Sequence, residues 1–380
     1  MNCIRDIHVF PLRIPMIRGF SFASGSAGEA GGWAPHVLVK IIDDEGCYGW
    51  GEARPVAQWS YETLETVTST LRRYLIPAVL GLEVHDRRGL HERMNSCIGR
   101  GPSTGQPIAK AAVDVALHDL IARRLQIPLR TFLGGSSEKC SVDLSYTLAS
   151  TDHDELERDI ETGLQSGFVH ANFKCGVHAE KDIRTAETIR TRLTDDSFLW
   201  ADANQGYKLH QARRCASEFA SIGISVLEQP FPADQRRLMR ALRASTRLPL
   251  AIDESCVSVA DYFEYVSQSL VDYLVIKVTR SGGIWPSVGQ IRVAEAAGIP
   301  LLVSGLADGL LTKLASCQTA AAFGFYGPAA LNGSQFIDES ILYPDKPNIE
   351  NRGSVLLDES VGIGVEPDEA GIRELLMADL

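Results

Sequence analysis

Five times in succession, between Phe168 and Asp308, a chargeable residue falls at the end of a short apolar run. Phe-Lys ends one run at Lys174, Leu-Trp-Ala-Asp the next at Asp202 and Val-Leu-Glu a third at Glu228; Leu-Ala-Ile-Asp gives Asp253 and Leu-Val-Ile-Lys gives Lys277. The steps between these residues are 28, 26, 25 and 24 positions. A strand of about five residues, a helix of about twelve and two short loops add up to roughly that period, so each step reads as one strand-helix unit. Strand-helix alternation without hairpin turns implies a parallel sheet, on which side chains at the same end of successive strands converge. Seven or so such units close as a barrel of the TIM type, with working groups at the C-terminal ends of the strands. A doubly wound open sheet would want a glycine fingerprint after its first strand, and none follows Ser141 to Leu148.

Upstream the pattern differs. Ile4 to Ile17 and Val37 to Ile42 have strand character, with Asp43-Asp44-Glu45-Gly46 as a hairpin turn. Between them lies Gly19 to Gly32, with five glycines in fourteen residues, too flexible by composition to pack as an element. Carrying Phe20 and Phe22, it reads either as a mobile lid over a site or as a surface loop with incidental aromatics. Pro107 suits a first helical turn, and Val113, Ala116, Leu117, Leu120 and Ile121 follow as one apolar stripe. Leu133-Gly-Gly135 closes this region. The tail after about Pro328 is mixed, and its Gly362 to Pro367 is expected to fold back on the N-terminal part.

Composition limits the classes open to the chain. At 380 residues it should hold one large domain and a smaller one. A net charge of −11 with no Lys/Arg-rich stripe argues against a nucleic-acid partner. The eight cysteines stand singly, with no Cys-x-x-Cys, and read as reduced thiols of a cytoplasmic protein. No basic region followed by an apolar signal core opens the chain, and no uncharged stretch reaches spanning length, so neither secretion nor membrane insertion is expected.

Asp202, Glu228 and Asp253 bring three carboxylates to the mouth of adjacent strands. Three such charges repel one another unless a cation sits among them, and an all-oxygen ligand set favours a hard ion such as Mg2+ over zinc. A single Asp at such a place more often caps a helix or pairs with an arginine; recurrence in three consecutive units argues for the ion. Lys174 and Lys277 flank the trio, so their amines could face opposite sides of a ligand held there. A lysine is a base only when neutral, and a nearby dication together with burial would depress its pKa. The alternative is a pair of lysines closed on the carboxylates.

Lys-x-Gly after the second barrel strand, Asp-Ala-Asn, Leu-Glu-Gln-Pro, Ile-Asp-Glu-Ser and Ile-Lys-x-x-x-x-Gly-Gly, in this order and spacing, resemble the enolase superfamily, and within it the muconate lactonizing enzyme-like branch of the mandelate racemase/muconate lactonizing enzyme family. Gly-Trp-Gly-Glu-Ala-Arg54 and Ala-Lys-Ala-Ala-Val-Asp-Val-Ala-Leu-His-Asp119 resemble its N-terminal capping domain. The resemblance implies an α/β fold, a modified TIM barrel (β/α)7β with an α+β capping domain. Capping domain 1–134, barrel 135–345 and a C-terminal segment 346–380 returning to the capping domain are the expected divisions. It implies Asp202, Glu228 and Asp253 as ligands of one Mg2+ and Lys174 and Lys277 as bases. The ion would act as a Lewis acid while a lysine takes the proton alpha to a carboxylate, leaving an enediolate.

Two departures stand out. The branch usually has Lys-x-Lys where this chain reads Asn172-Phe173-Lys174, and the Asp-His pair of the mandelate racemases is absent, since no histidine lies between Lys277 and Leu311. Asp308 matches an acidic position after the seventh strand and is open between a substrate contact and a loop-structural role. Asn172, Asn204, Asp308, Phe20 and Phe22 are the candidate substrate contacts. Trp33, Trp59, Tyr61 and Trp285 could line the pocket or be scattered core aromatics. His118 reads as a packed helix residue, and Ser281-Gly-Gly283 as a turn into a helix rather than a phosphate cradle.

The expectation is a Mg2+-dependent racemase or epimerase of an amino-acid derivative, with a dehydratase or cycloisomerase acting through the same intermediate as the alternative. A small-molecule carboxylate is the expected partner, with no nucleic acid and no membrane, and the chain is expected to form a homo-oligomer in the cytoplasm. A hydrolytic metal barrel would need His-x-His after its first strand, and Ser141 to Ser150 contains no histidine. A Schiff-base aldolase would use Lys277 without a metal, and a metal-binding barrel without catalysis would need neither lysine.

Overall fold

The computed structural model describes residues 2–99, 101, 104–150, 152–345 and 350–377. The expected boundary at 345/346 therefore abuts residues 346–349, which lie outside the described residues.

Three antiparallel strands open the chain: β1 (Ile4–Pro15), β2 (Trp33–Asp43) and β3 (Tyr48–Ala53), in the order β1-β2-β3. The turn between β2 and β3 is set by Gly46 at φ 87°, with the amide of Asp43 donating to the carbonyl of Cys47 at 2.9 Å. This sheet packs on helix α1 (Pro107–Leu125), which is buried on every side from Pro107 to Ala122 rather than along one stripe. Glycines make the approach feasible. A Cβ on Gly49 would lie 2.3 Å from the Ala116 carbonyl, and one on Gly51 would lie 2.1 Å from that of Ala112. Any side chain there would drive strand and helix apart.

Seven parallel strands follow, β4 (Ser145–Leu148), β5 (His170–Lys174), β6 (Leu199–Asp202), β7 (Val226–Glu228), β8 (Leu250–Ile252), β9 (Tyr273–Ile276) and β10 (Leu301–Val303), hydrogen-bonded in chain order. Between them, and after β10, run α2 (His153–Gln165), α3 (Ala179–Arg192), α4 (Leu209–Ile222), α5 (Arg236–Arg243), α6 (Val259–Ser267), α7 (Ile284–Ala297) and α8 (Leu310–Phe323). Each helix turns its apolar side to the sheet; Ala212, Cys215, Ala216 and Phe219 do so from α4. The two edges of the sheet meet through Ala329 and Ala330. The Ser145 amide donates to the Ala329 carbonyl at 3.0 Å, and the Ala330 amide to that of Val303 at 2.9 Å. That pair of residues takes the eighth strand position, and the (β/α)7β barrel is complete.

Two local expectations change, and the turn expected at Ser281-Gly-Gly283 is present. Ser141 to Leu148 is not one strand: Cys140–Asp143 pairs antiparallel with Ser354–Leu357, and the chain enters the barrel only after Leu144 donates to the Gly353 carbonyl at 2.8 Å. The Gly19 to Gly32 loop, read as too flexible to pack, carries a small hairpin, Ser21–Phe22 against Gly25–Ser26. Its two phenylalanines are buried against Trp59, and Phe20 also meets Phe336 with ring centroids 4.5 Å apart, so aromatic burial holds a backbone that glycine alone would leave loose. Gly282 and Gly283, at φ 93° and 115°, form the turn into α7, whose first amides donate to the Asp114 carboxylate; the chain's own anion occupies the place a phosphate would take.

The last helix, α9 (Glu369–Leu375), lies along β1, where the Met377 amide donates to the Pro11 carbonyl at 2.9 Å. The Gly362 turn rests on α1, the Ile363 amide donating to Asp119 at 2.7 Å. No helix among the described residues is long and apolar enough to cross a membrane.

Candidate active site

Strand register puts the chargeable residues in one row. Lys174 pairs with Asp202 and Asp202 with Glu228, while Glu228 pairs with Ala251. Asp253, two residues beyond Ala251, therefore emerges on the same face, and Lys277 follows the last residue of β9. All five side chains are at least nine-tenths buried.

Each outer carboxylate is closed on a lysine. Lys174 Nζ donates to Asp202 Oδ2 at 2.6 Å, and Lys277 Nζ to Asp253 Oδ2 at 2.7 Å. Arg280, one turn beyond Lys277, donates through Nη2 to the Asp253 carbonyl at 2.8 Å and also to Asp253 Oδ1. Glu228, between them, has no lysine: its Oε1 is buried without a partner. Asn204 Nδ2 donates to Glu254 Oε1 at 3.1 Å, which leaves Asn204 Oδ1 and Glu254 Oε2 buried and unpartnered as well.

Burial and neighbouring charge explain the protonation pattern. Burial alone would lower the Lys174 pKa, but Asp202 and Glu228 outweigh it and hold the ammonium above its usual value. Glu228 is pushed well above the carboxylate range, first by burial and then by Asp202 and Asp253. Glu254 rises to about 7 for the same reasons. Asp253, although buried, is held below its usual value by Arg280 and Lys277. Lys174, Lys277 and Arg280 are the cations paired with these carboxylates.

Among the described residues, no three His, Cys, Asp or Glu side chains converge closely enough to hold an ion as they stand. The donor set nonetheless suits a hard cation. Three orphaned buried oxygens, on Glu228, Asn204 and Glu254, each carry a desolvation cost of about 1–3 kcal/mol that an oxygen-seeking ion would relieve.

Above the row sits one indole. Trp59, on the short helix Ala57–Ser60, places its ring centroid 4.4 Å from Lys277 Nζ and 5.3 Å from Lys174 Nζ. Phe20 lies 5.8 Å from Lys174 Nζ and edges onto Trp59, while Phe22 packs on the same indole with ring centroids 5.2 Å apart. Trp33 and Tyr61 are exposed, and Trp285 stacks on Arg87 at 5.0 Å, so of the four aromatics considered it is Trp59 that reaches the lysines.

Asn172 lies two residues before Lys174, one layer down. Its Oδ1 accepts from Thr147 Oγ1 at 3.0 Å and from Asn332 Nδ2 at 3.3 Å, a neutral network where the family pattern would put a cation. Asp308 accepts the Leu306 amide at 3.0 Å and a longer bond from Thr279 at 3.4 Å. Burial pushes its pKa up to about 6, aided by Glu52 and opposed by Arg54 and Lys277. His118 is the packed helix residue expected, its Nδ1 2.8 Å from the Asp114 carbonyl.

Three contributors were not singled out in the sequence. Arg280 and Glu254 sit inside the quoted motifs, one turn after Lys277 and next to Asp253. Gln229, at φ 39°, ties two strand ends together by accepting the Asp253 amide at 3.0 Å and the Ser255 amide at 3.1 Å. Left-handed residues just past strand ends mark functional backbone, but a positive φ at glutamine leaves no trace in composition.

Residues 155–371 match the family described as Enolase C-terminal domain-like, and residues 10–134 match the Mandelate racemase / muconate lactonizing enzyme, N-terminal domain. The chain is 28% identical over 377 residues to an N-succinyl-L-Arg/Lys racemase of Bacillus cereus, covering 98% of this chain and 97% of the relative. The crystal structure of that racemase superposes with a TM-score of 0.89 at 26% identity over 99% of this chain and 98% of the other. Muconate cycloisomerase 1 of Rhodococcus opacus is 29% identical over 367 residues, 93% of each chain. A dipeptide epimerase from Enterococcus faecalis, solved with Mg and the dipeptide L-Leu-L-Tyr, superposes with a TM-score of 0.85 at 25% identity, covering 96% of this chain and 99% of that one. The chain is an enzyme of the mandelate racemase/muconate lactonizing enzyme family, in the muconate lactonizing enzyme-like branch of the enolase superfamily.

Proposed function

We propose that the chain is a Mg2+-dependent racemase or epimerase of an amino-acid derivative, working by removal of the proton alpha to a carboxylate. The observation that carries this reading is the placement of Lys174 and Lys277 at the two ends of one carboxylate row, under a single indole. Asp202, Glu228 and Asp253 would hold the ion, which, when bound, supplies Lewis-acid polarisation of the substrate carboxylate. Lys174 and Lys277 would then serve as the two bases, one taking the proton from one face of the alpha carbon and the other returning it on the opposite face. Trp59 and Phe20 cover the lysines and shield the space above them from water.

The test is isotope exchange. In deuterated buffer the wild type should wash label into the alpha position of a racemisable N-acyl amino acid or dipeptide, and Lys174→Ala and Lys277→Ala should each abolish exchange from one enantiomer, lowering it by at least about a hundredfold. Full exchange of both enantiomers by both variants would refute the assignment. Chelation of divalent metal should abolish exchange and added Mg2+ restore it, whereas a Schiff-base route through Lys277 would survive the chelator.

Cycloisomerisation remains a second reading because the cycloisomerase relative is as similar in sequence as the racemase. It predicts turnover of an unsaturated dicarboxylate or its lactone, with no racemisation of any amino-acid derivative.

A further inference from the structure

A cavity of about 200 Å3 opens beside Lys174, between the capping hairpin and the loops after β4 and β5. Its walls are apolar: Phe22 and Ala23 from the hairpin, Ala149 after β4, and Val177 after β5, an exposed valine. At its outer rim stand His178 and Lys181, at the start of α3.

The walls are fixed. The Ser26 amide donates to Gln58 Oε1 at 2.8 Å, tying the hairpin to the helix that carries Trp59. Ala23 rests on Gly206, where an added Cβ would come within 2.5 Å of the Ala23 Cβ. The two acids nearest the rim are engaged with other partners. Asp182 lines the cavity too, but its Oδ2 accepts from the Gly176 amide at 3.0 Å and Tyr207 Oη at 2.7 Å. Glu180, the other acid of this turn, is closed on Arg214 at 2.5 Å. Lys181 is exposed and forms no ion pair with another described residue.

We propose that this cavity receives the distal arm of the substrate and that Lys181, with His178, selects an arm ending in a second carboxylate. At about 30 Å3 per water-sized group, the space holds roughly six or seven heavy atoms, the size of a short dicarboxylic acyl group or an acidic side chain. The inference rests on the racemase reading for what occupies the inner end, but not for the charge at the rim.

Calorimetry with Mg2+ present separates the two. The wild type should bind N-succinylglycine about tenfold more tightly than N-acetylglycine if the acid is carried on the acyl group, or N-acetylglutamate about tenfold more tightly than N-acetylnorvaline if it is carried on the side chain. Lys181→Ala should bring the favoured ratio close to one, and Lys181→Glu should invert it. Ala149→Leu, which fills the cavity, should weaken the acid-armed ligand of the favoured pair. Equal ratios in wild type and both Lys181 variants would overturn the proposal whether or not any ligand exchanges its alpha proton. A charge-dependent ratio without exchange of any ligand would uphold the pocket and overturn the racemase reading.

Discussion

At the scale of single residues, charge and its neighbours decide what each side chain can do. Lys174 and Lys277 are paired with Asp202 and Asp253, and both lie under the π face of Trp59, where a cation is attracted by about 0.5–2 kcal/mol. Loss of the indole should therefore misplace both amines at once. Trp59→Leu is expected to lower kcat/KM for alpha-proton exchange by about tenfold and Trp59→Phe by much less, since phenylalanine keeps a π face over the lysines. Equal losses in the two variants would show that bulk rather than the ring matters. The five charged residues were legible in the sequence because each ends an apolar run at a near-constant step. Their partners were not: nothing in the spacing tells whether Asp253 meets a metal, Lys277 or Arg280, and in the structure it meets both cations.

At the scale of elements, the capping sheet and the barrel are joined by close backbone approaches and by shared helix ends. The amides that open α8 are satisfied from two directions, Thr312 donating to Glu52 at 3.1 Å and Leu310 to Glu339 at 3.0 Å. Carboxylates at a helix N-terminus also complement its dipole. Glu52 is the residue after Gly51, so the same strand that packs on α1 caps a barrel helix. Gly51→Ala would place a methyl 2.1 Å from the Ala112 carbonyl, and the strand must lift. The expected cost is about 3 kcal/mol, read as a lower denaturant midpoint at unchanged m. A midpoint within error of the wild type would show that α1 can give way. The Gly-Trp-Gly-Glu run was visible as a motif, but its reason, backbone lying on helix, depends on a contact some sixty residues away.

At the scale of the whole molecule, buried acids couple folding to pH. Glu62 accepts the Ile108 and Ala109 amides at 2.7 and 3.1 Å at the start of α1, and burial pushes its pKa up to about 7. A carboxyl whose folded pKa lies above its ordinary 4.5 favours the fold while protonated, so its contribution is complete below 4.5 and is lost as pH rises through about 7. Asp308, at about 6, acts in the same direction. Stability should therefore fall by an amount on the order of 1–3 kcal/mol between pH 5 and 8, and Glu62→Gln should flatten the upper part of that slope in denaturant titrations at several pH values. A wild-type midpoint that does not change over this range would contradict the burial argument.

The barrel, the row of acids and the two lysines were readable from residue order alone, because parallel strands at a regular period bring the same end of every unit to one mouth whatever the loops do. Tertiary contacts settled that Ala329 and Ala330 close the sheet, that a glycine-rich loop docks through Phe20 and Phe22, that Trp59 arrives above the lysines and that Lys181 pairs with no acid among the described residues. Those outcomes rest on contacts between distant segments, set by shape and burial rather than by any period, and such contacts exist only once the chain has folded.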